Sequence, residues 1–491
     1  MMQKTLQHII EGLNCTVKGD SSVSIGRVVF DSRRVQKGDL FVAVRGTQAD
    51  GHQFIPMALE KGASAVICES VPGEIPADIA VVVVPDSATA LGIAASNFYE
   101  NPSRRLRLMG VTGTNGKTSI ATLSHQLFSE FGFKCGLLST VRNLIGNKEI
   151  TATHTTPDAV AIQALMKDMV EAGCKYVFME VSSHAADQKR IAGLEFDVAV
   201  FTNLTHDHLD YHKTFDAYLK AKKLFFDTLP ETAFALINTD DKNGRVMVQN
   251  TAAKVKTYAL HSMSDFKARV IESHFDGMLM TIDNVELWTK LIGEFNAYNL
   301  LAIYCVAVLF GLPKEDLLPV LSHLSTVEGR FEYMRSNTGV TAIIDYAHTP
   351  DALKNVISTI NQIRSGAGQL ITVVGAGGDR DKTKRPVMGK IASEYSNRII
   401  FTSDNPRSED PQTIINEMLN GVENDKRKNV LAITDRREAI RTACMLAKAG
   451  DVILIAGKGH ETYQEIRGQR HYFNDKQVVS EIFMVSNINP Q

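Results

Sequence analysis

The sequence predicts an α/β protein of three domains, and two observations carry that reading. Its 491 residues exceed what one hydrophobic core holds, at about 100–200 residues per domain. Strand-like and helix-like stretches alternate from end to end, the rhythm of parallel sheets covered on both faces. Composition adds a bound on function. The chain is 44% hydrophobic and 22% charged with a net charge of −2, so neither a nucleic-acid partner nor a membrane partner is expected. Its six cysteines are scattered without a CxxC pair and read as reduced thiols of a cytoplasmic protein. The start has no signal-peptide core, and no apolar run approaches the roughly 18 residues of a membrane span. A cytoplasmic enzyme acting on small charged molecules is expected.

Along the first hundred residues, "RVVFDSRRV" and "DLFVAV" read as strands, and "GHQFIPMALEKG" as a helix stopped by Gly62. "ASAVICES" and "IAVVVV" are further strands, and "PDSATALGIAASNFY" is a helix. The polar, proline-containing "ENPSRR" reads as a linker. The second section opens with "RLRLMGV", a glycine loop and the helix "KTSIATLSHQLFSEFG", whose Ile120, Leu123, Leu127 and Phe131 fall at helical spacing. The strands "KYVFMEV", "FDVAVF" and "AFALIN" follow, separated by helices. A third section begins near Phe331, where "TAIID", "QLITVV", "RIIF", "NVLAI" and "DVILIA" are strands ending in polar loops, as in a second doubly wound sheet. "GAGGDR" has Arg380 where a GxGxxG motif needs its last glycine, which argues against dinucleotide binding.

"GVTGTNGKTS" spans positions 110–119 between a strand and a helix. Gly110, Gly113 and Gly116 allow a sharp turn that points N–H groups inward, and the following helix adds the positive end of its dipole. Lys117 can reach terminal phosphates and the Thr118 hydroxyl can hold magnesium. Val111 stands where a strict Walker A motif has glycine, so the loop is a variant.

Two more stretches carry chemistry. Glu180 ends a strand, where sheet ligands gather, and "TNLTHDHLDYH" brings His206, Asp207, His208, Asp210 and His212 after the next strand. So many histidines suggest zinc, but no cysteine or HExxH motif accompanies them, and exposed loop histidines remain an alternative. In "TFDAYLKAKKLFFDTL", Phe215, Tyr218, Leu219, Phe225, Phe226 and Leu229 form one apolar stripe with Lys222 in its middle. Such a lysine finds a carboxylate, snorkels to solvent, or loses its proton. A neutral amine can add carbon dioxide to give a carbamate, which binds magnesium as an ammonium cannot.

"GVTGTNGKTS", "MEVSSH", "TNLTHDHLDYH", "YLKAK", "GEFNAYNLLAI", "EGRFE", "DYAHTPDAL", "GGDRDKTKRP", "DNPRSEDP" and "AGKGHETYQ" together resemble the Mur ligases of bacterial cell-wall synthesis over nearly the whole chain. The resemblance implies three parts. Residues 1–103 would bind the UDP-sugar, 104–331 would form a central ATP-binding P-loop domain, and 332–491 a Rossmann-like domain for the incoming amino acid. It implies ATP-dependent amide formation: the γ-phosphate passes to a carboxylate, and an amine then displaces phosphate from the acyl phosphate. Gly113, Thr114, Asn115, Gly116, Lys117, Thr118 and Ser119 would hold ATP together with Asn296, Arg330 and Asp345. Two Mg²⁺ ions would sit on Thr118 with Glu180, and on Glu180, His208 and Lys222, the last carbamylated by CO₂ to N6-carboxylysine. Lys117, Glu180, His208 and Lys222 are thus the expected catalytic set.

The implied acceptor is UDP-MurNAc-L-Ala-D-Glu, bound by Ser32, Thr47, Gln48, Ala49, Thr155, Thr156, Ser182, Gln188 and Arg190; His154 stands where the family pattern has asparagine. The implied amino acid is meso-diaminopimelate. Its second amino-carboxylate end calls for a planar cation and for anionic or carbonyl groups. Arg380 and Arg407 would take the carboxylate, and Asp404, Asn405, Pro406, Gly457 and Glu461 would form the rest of that site. Lysine-adding relatives lack the arginine of "DNPR". The alternatives are a lysine-adding or folylpolyglutamate-forming relative, or a P-loop hydrolase or switch protein. A monomer is expected.

Overall fold

The computed structural model describes residues 3–46, 49–71, 73, 75–150, 155–364 and 368–486. Thr47, Gln48 and His154 lie outside the described residues. Three large sheets follow one another along the chain. The first has five strands, with Ala65–Cys68 at its centre and Thr16–Lys18 as an antiparallel edge on Ala80–Val83. The segment read as one strand, "RVVFDSRRV", is a strand only at Val28–Val29, after which Asp31 caps a 3₁₀ turn at Ser32–Arg34. The expected linker is instead a packed 3₁₀ turn, Pro102–Arg105, with Pro102 and Ser103 buried. Ser103 Oγ accepts from the Glu195 N–H, which ties the turn to the central layer.

The central sheet has eleven strands. Its middle is parallel as expected, but antiparallel hairpins extend both edges. Asn143–Ile145 and Lys148–Ile150 fold back beside Cys135–Leu138. Phe266–His274, Gly277–Ile282 and Val285–Thr289 form a meander on the other side. Alternation along these strands is broken by polar residues on both faces, so periodicity gives them little signal.

What matters for function is the strand order at the centre. Arg107–Thr112 lies between Tyr176–Glu180 and Val198–Phe201, paired Glu180↔Val111 and Phe201↔Thr112. Crossovers leave in opposite directions from this strand, so three polar loops open together at the carboxyl edge. The glycine loop, Glu180 and the histidine-rich loop therefore converge although up to ninety residues separate them. Gly110 does not belong to that loop. It sits inside the strand, where a Cβ would come within 2.6 Å of the Phe196 ring and 2.7 Å of the Phe225 ring. Its smallness seats the helix Phe215–Asp227 on the sheet, and that helix carries Lys222.

The third sheet has six strands in the order Glu332–Arg335, Thr341–Asp345, Val452–Ala456, Leu370–Val374, Arg398–Phe401, Val430–Ala432, parallel apart from the first pair. Thr349 caps the helix Pro350–Ile363, whose side toward the sheet is apolar, and Asp410 caps Pro411–Leu419 with proline first, as expected.

Candidate active site

A cavity of about 540 Å³ opens between the central and third sheets. Its wall includes Thr114, Asn115, Gly116, Lys117, Thr118, Ser119, Glu180, Ser182, His208, Lys222, Arg330 and Asp345. The phosphate loop is fixed from behind. Asn203 accepts from the Thr114 N–H at 2.9 Å through its carbonyl and from the Asn115 N–H at 2.9 Å through its side chain. Gly113 has no room for a side chain, since a Cβ would stand 1.8 Å from Thr202 Oγ1. The loop thus presents its remaining N–H groups and the start of the helix Lys117–Glu130 to an anion.

A buried lysine and a half-buried one point at one oxygen. Lys117 Nζ donates to the carbonyls of Gly113 and Thr114, both at 2.9 Å, and Lys222 Nζ donates to the same Gly113 carbonyl at 2.8 Å. Lys222 is 1% exposed, so it does not snorkel. Burial and the neighbouring Lys117 charge hold its amine well below the ordinary lysine value, against the pull of Asp207. Lys117 is lowered by burial too, with Glu180 and Asp207 opposing. Lys220 faces solvent, paired with Asp216, and Lys223 pairs with Asp227.

Glu180 is buried, and its Oε1 accepts the Thr140 N–H at 2.7 Å. His208 sits in the left-handed region, φ +55°, a conformation that aims its ring into the cavity wall. Burial keeps its imidazole below the ordinary value, while adjacent Asp207, 3.3 Å away, opposes this. Among the described residues no three His, Cys, Asp or Glu side chains form a metal-binding group. A zinc centre therefore has no ligand set there. The donors that line the cavity are a carboxylate, an imidazole, a hydroxyl and a buried amine, and an oxygen-seeking cation held at the amine would need it converted to an anion.

Thr155, Thr156, Ser182, Gln188 and Arg190, expected at the acceptor, lie in hydrogen-bonded contact beside Glu180. Thr156 Oγ1 donates to the Glu180 carbonyl at 2.8 Å and accepts from the Ser182 N–H at 3.1 Å. Arg190 grips Gln188 Oε1 through two nitrogens and the Thr156 carbonyl through a third. Thr155 accepts from Thr140 Oγ1 at 3.1 Å. Ser32 is buried and Ala49 exposed in the first layer, and among the described residues neither shares a hydrogen bond with this network.

The third layer and the segment leading into it reach back over the cavity. Arg330 Nη2 donates to Thr118 Oγ1 at 3.0 Å while its guanidinium lies 4.5 Å from the Tyr346 ring centroid. Asn115 Nδ2 donates to Asp351 Oδ2 at 3.0 Å. Asn296 lies behind the wall, bonded to the Ile292 carbonyl and Asn299, and Asn299, Phe295 and Tyr298 face the space instead. Burial raises the Asp345 carboxyl to about 6, against Arg330 and the N–H groups of Phe331 and Ala347. Its folded value lies above its unfolded one, so the stability linked to this proton is complete below the unfolded value and is lost as pH rises through about 6. Asp345→Asn should therefore gain stability over the wild type as pH rises from 4 to 7, by about 3 kcal/mol at most. Melting curves at those pH values check it.

The "DNPR" turn and the glycine loop at 375–378 lock together. Arg407, at φ +52°, donates from Nη1 to the Gly378 carbonyl at 2.7 Å. A Cβ on Gly378 would stand 1.9 Å from the Pro406 carbonyl oxygen, so those glycines serve packing. Arg380 is exposed beside them. Asp404, Asn405 and Pro406 are buried, and Gly457 passes so close to Asp404 that a Cβ would lie 2.5 Å from its Oδ2. Tyr346 joins the two regions: it lines the cavity, and its hydroxyl lies 3.4 Å from Glu461 Oε1.

Several of these participants carry no chemical signal in the sequence. Tyr346 and Asn203 follow strand ends inside quoted motifs and Asp351 stands in the first turn of a helix, positions that mark them only as polar loop and cap residues. Thr140 acts through its backbone N–H, and nothing in the sequence marks it.

Fold and cavity together define a phosphate-loop nucleotide enzyme whose third layer closes on the nucleotide site. Comparison with known proteins narrows this. Family models described as Mur ligase family, catalytic domain, Mur ligase middle domain, and Mur ligase, glutamate ligase domain match residues 24–99, 111–307 and 329–459. The chain is 59% identical over 467 residues, 95% of its length and 97% of the relative's, to the UDP-N-acetylmuramoyl-L-alanyl-D-glutamate–2,6-diaminopimelate ligase of Bacteroides thetaiotaomicron. It is 42% identical to the Bacillus cereus protein of the same name, over 93% of this chain and 94% of that one. A solved structure of a ligase with that name superposes with a TM-score of 0.71 at 34% identity, covering 99% of this chain and all of that one. The MurF ligase of Thermotoga maritima in complex with ADP shares the fold, with a TM-score of 0.62 at 20% identity over 93% and 97% of the two chains. The chain belongs to the Mur ligase family of ATP-dependent, amide-bond-forming enzymes.

Proposed function

We propose that this enzyme joins meso-2,6-diaminopimelate to the D-glutamyl γ-carboxylate of UDP-MurNAc-L-Ala-D-Glu, with ATP converted to ADP and phosphate. The observation that carries the proposal is the buried amine of Lys222, its proton affinity lowered by burial, in one cavity with Lys117, Glu180 and His208. Residues 1–103 would hold the uridine diphosphate, 104–331 the ATP, and 332–491 the amino acid. Names of the relatives support the substrate pair.

A carboxylate is a poor electrophile. Phosphorylation of one of its oxygens supplies a leaving group: the O–P bond to ADP breaks, and a C–O–P linkage forms. The amine nitrogen then attacks the carbon, loses a proton, and phosphate departs with one former carboxylate oxygen. Lys117 neutralises charge on the transferring group. The network of Thr156, Ser182, Gln188 and Arg190 would orient the acceptor beside Glu180. Thr118 with Glu180, and Glu180 with His208 and a carboxylated Lys222, would hold two Mg²⁺, which screen phosphate charge when bound. Arg330 and Tyr346 cover the site and would keep water from the acyl phosphate.

Arg407 and Arg380 would receive the distal carboxylate of diaminopimelate, and Asp404 and Glu461 its ammonium. A ligation assay on purified enzyme, offering diaminopimelate or lysine, tests the assignment. Diaminopimelate should be the better substrate, and Arg407→Ala should raise its KM at least about tenfold, the worth of one charged hydrogen bond. Unchanged kinetics would refute the role of Arg407, and preference for lysine would make this a lysine-adding ligase.

A further inference from the structure

Beneath the "DNPR" turn lies a charged cluster larger than ligand contact requires. Lys458 is 0% exposed, and a buried ammonium is stable only when paired and hydrogen-bonded. Its Nζ donates to Glu461 Oε2 at 2.9 Å and to Asn405 Oδ1 at 3.2 Å. Asn405 Nδ2 donates to the same Glu461 Oε2 at 2.7 Å. Two fixed donors therefore hold Oε2, while among the described residues Oε1 has only the long contact from the Tyr346 hydroxyl at 3.4 Å. Asn405 Oδ1 also accepts the Glu465 N–H, so its amide is a brace between strand, turn and carboxylate.

Deeper still, Arg436 and Asp475, both 0% exposed, pair at 2.8 Å, and Arg436 Nη2 donates to the carbonyl of Ala456, the residue before Gly457. The charges of Asp404, Glu461 and Asp475 act on Arg436, and Lys458 acts on Asp404 and pairs with Glu461, so these five side chains set three carboxylates against two cations, with Arg407 on the turn above them. Among these five one negative charge is in excess, the charge that a single ammonium cancels, while Arg407 and Arg380 are left for the ligand's carboxylate.

On the reading of the amino-acid site given above, we propose that Lys458 is a positioning residue that fixes Glu461 with Oε1 outward and sets the cluster's charge, and that it thereby determines preference for a zwitterionic end over a simple ammonium. Without Lys458 the excess rises to two negative charges and Glu461 loses half its brace. A ligand bearing a carboxylate is then penalised, and a purely cationic side chain such as that of lysine is favoured.

Steady-state kinetics of wild type and Lys458→Met, with diaminopimelate and with L-lysine, test this. The diaminopimelate KM should rise at least about tenfold, the KM values for ATP and the UDP-sugar dipeptide should stay within about twofold, and the diaminopimelate-over-lysine ratio of kcat/KM should fall at least about tenfold. A diaminopimelate KM within about twofold of wild type overturns the proposal, as does a parallel rise in all three KM values, the mark of a loosened domain. Should Lys458→Met fail to fold, Asn405→Ala removes the other donor on Oε2 and must give the same selective rise; a wild-type KM there overturns the proposal equally. Wild type that ligates neither amino acid sinks the assigned function and this inference together. Wild type that ligates diaminopimelate beside an indifferent Lys458→Met sinks the inference alone.

Discussion

Replacing Lys222 with methionine is expected to lower the ligation rate by about 10³-fold or more while leaving the protein folded. The side chain is enclosed by the helix Phe215–Asp227 and the phosphate loop, 2.8 Å from the Gly113 carbonyl and 4.8 Å from the Tyr218 ring centroid. Methionine has nearly the same length and no charge to desolvate, so stability should change by no more than about 1 kcal/mol. What methionine cannot do is take up carbon dioxide. Under ¹³C-bicarbonate, wild type should show a carbamate carbon resonance that Lys222→Met lacks, and a short carboxylic acid in the buffer should restore part of the activity. A variant that ligates at the wild-type rate would remove the modified amine from the account.

Lys117→Met is expected to cost about 10²–10³-fold in kcat. The loss has two parts. The phosphate chain would lose its cation, and Lys222 would lose the neighbour whose charge, after burial, helps lower its proton affinity. With Lys117 gone, the proton affinity of Lys222 rises, and the carbamate resonance should need a higher pH to appear. A variant whose carbamate signal keeps the wild-type pH dependence would show that burial alone sets the state of Lys222. No other described residue shares the Gly113 carbonyl with both amines, so the coupling runs between these two side chains.

Much of the fold was legible in the sequence, because parallel strands buried on both faces announce themselves as short apolar runs ending in polar loops. Arg107–Thr112, Tyr176–Glu180 and Thr341–Asp345 all read this way. The edge hairpins did not, since Asn143–Ile145 and Val285–Thr289 mix polar and apolar residues without clean alternation. Gly110 was misread because a glycine needed for room beside two aromatic rings looks, in sequence, like a glycine needed for a turn. At the site, motif order placed Glu180, His208 and Lys222 together, and periodicity put Lys222 on the apolar stripe. Periodicity left open whether the amine pointed inward or out, and the bond to Gly113 decides that. The brace around Glu461 was invisible, because nothing in "AGKGHE" says that Lys458 turns into the domain while Glu461 keeps one oxygen free.

In the proposed reaction the γ-phosphate of ATP is handed to the acceptor's carboxylate before the amide forms. Labelling both oxygens of the D-glutamyl γ-carboxylate with ¹⁸O and analysing the released phosphate by mass spectrometry tests it most directly. One ¹⁸O atom should appear in each inorganic phosphate, with release strictly dependent on both acceptor and amino acid. Unlabelled phosphate, released equally fast without the acceptor, would contradict the account.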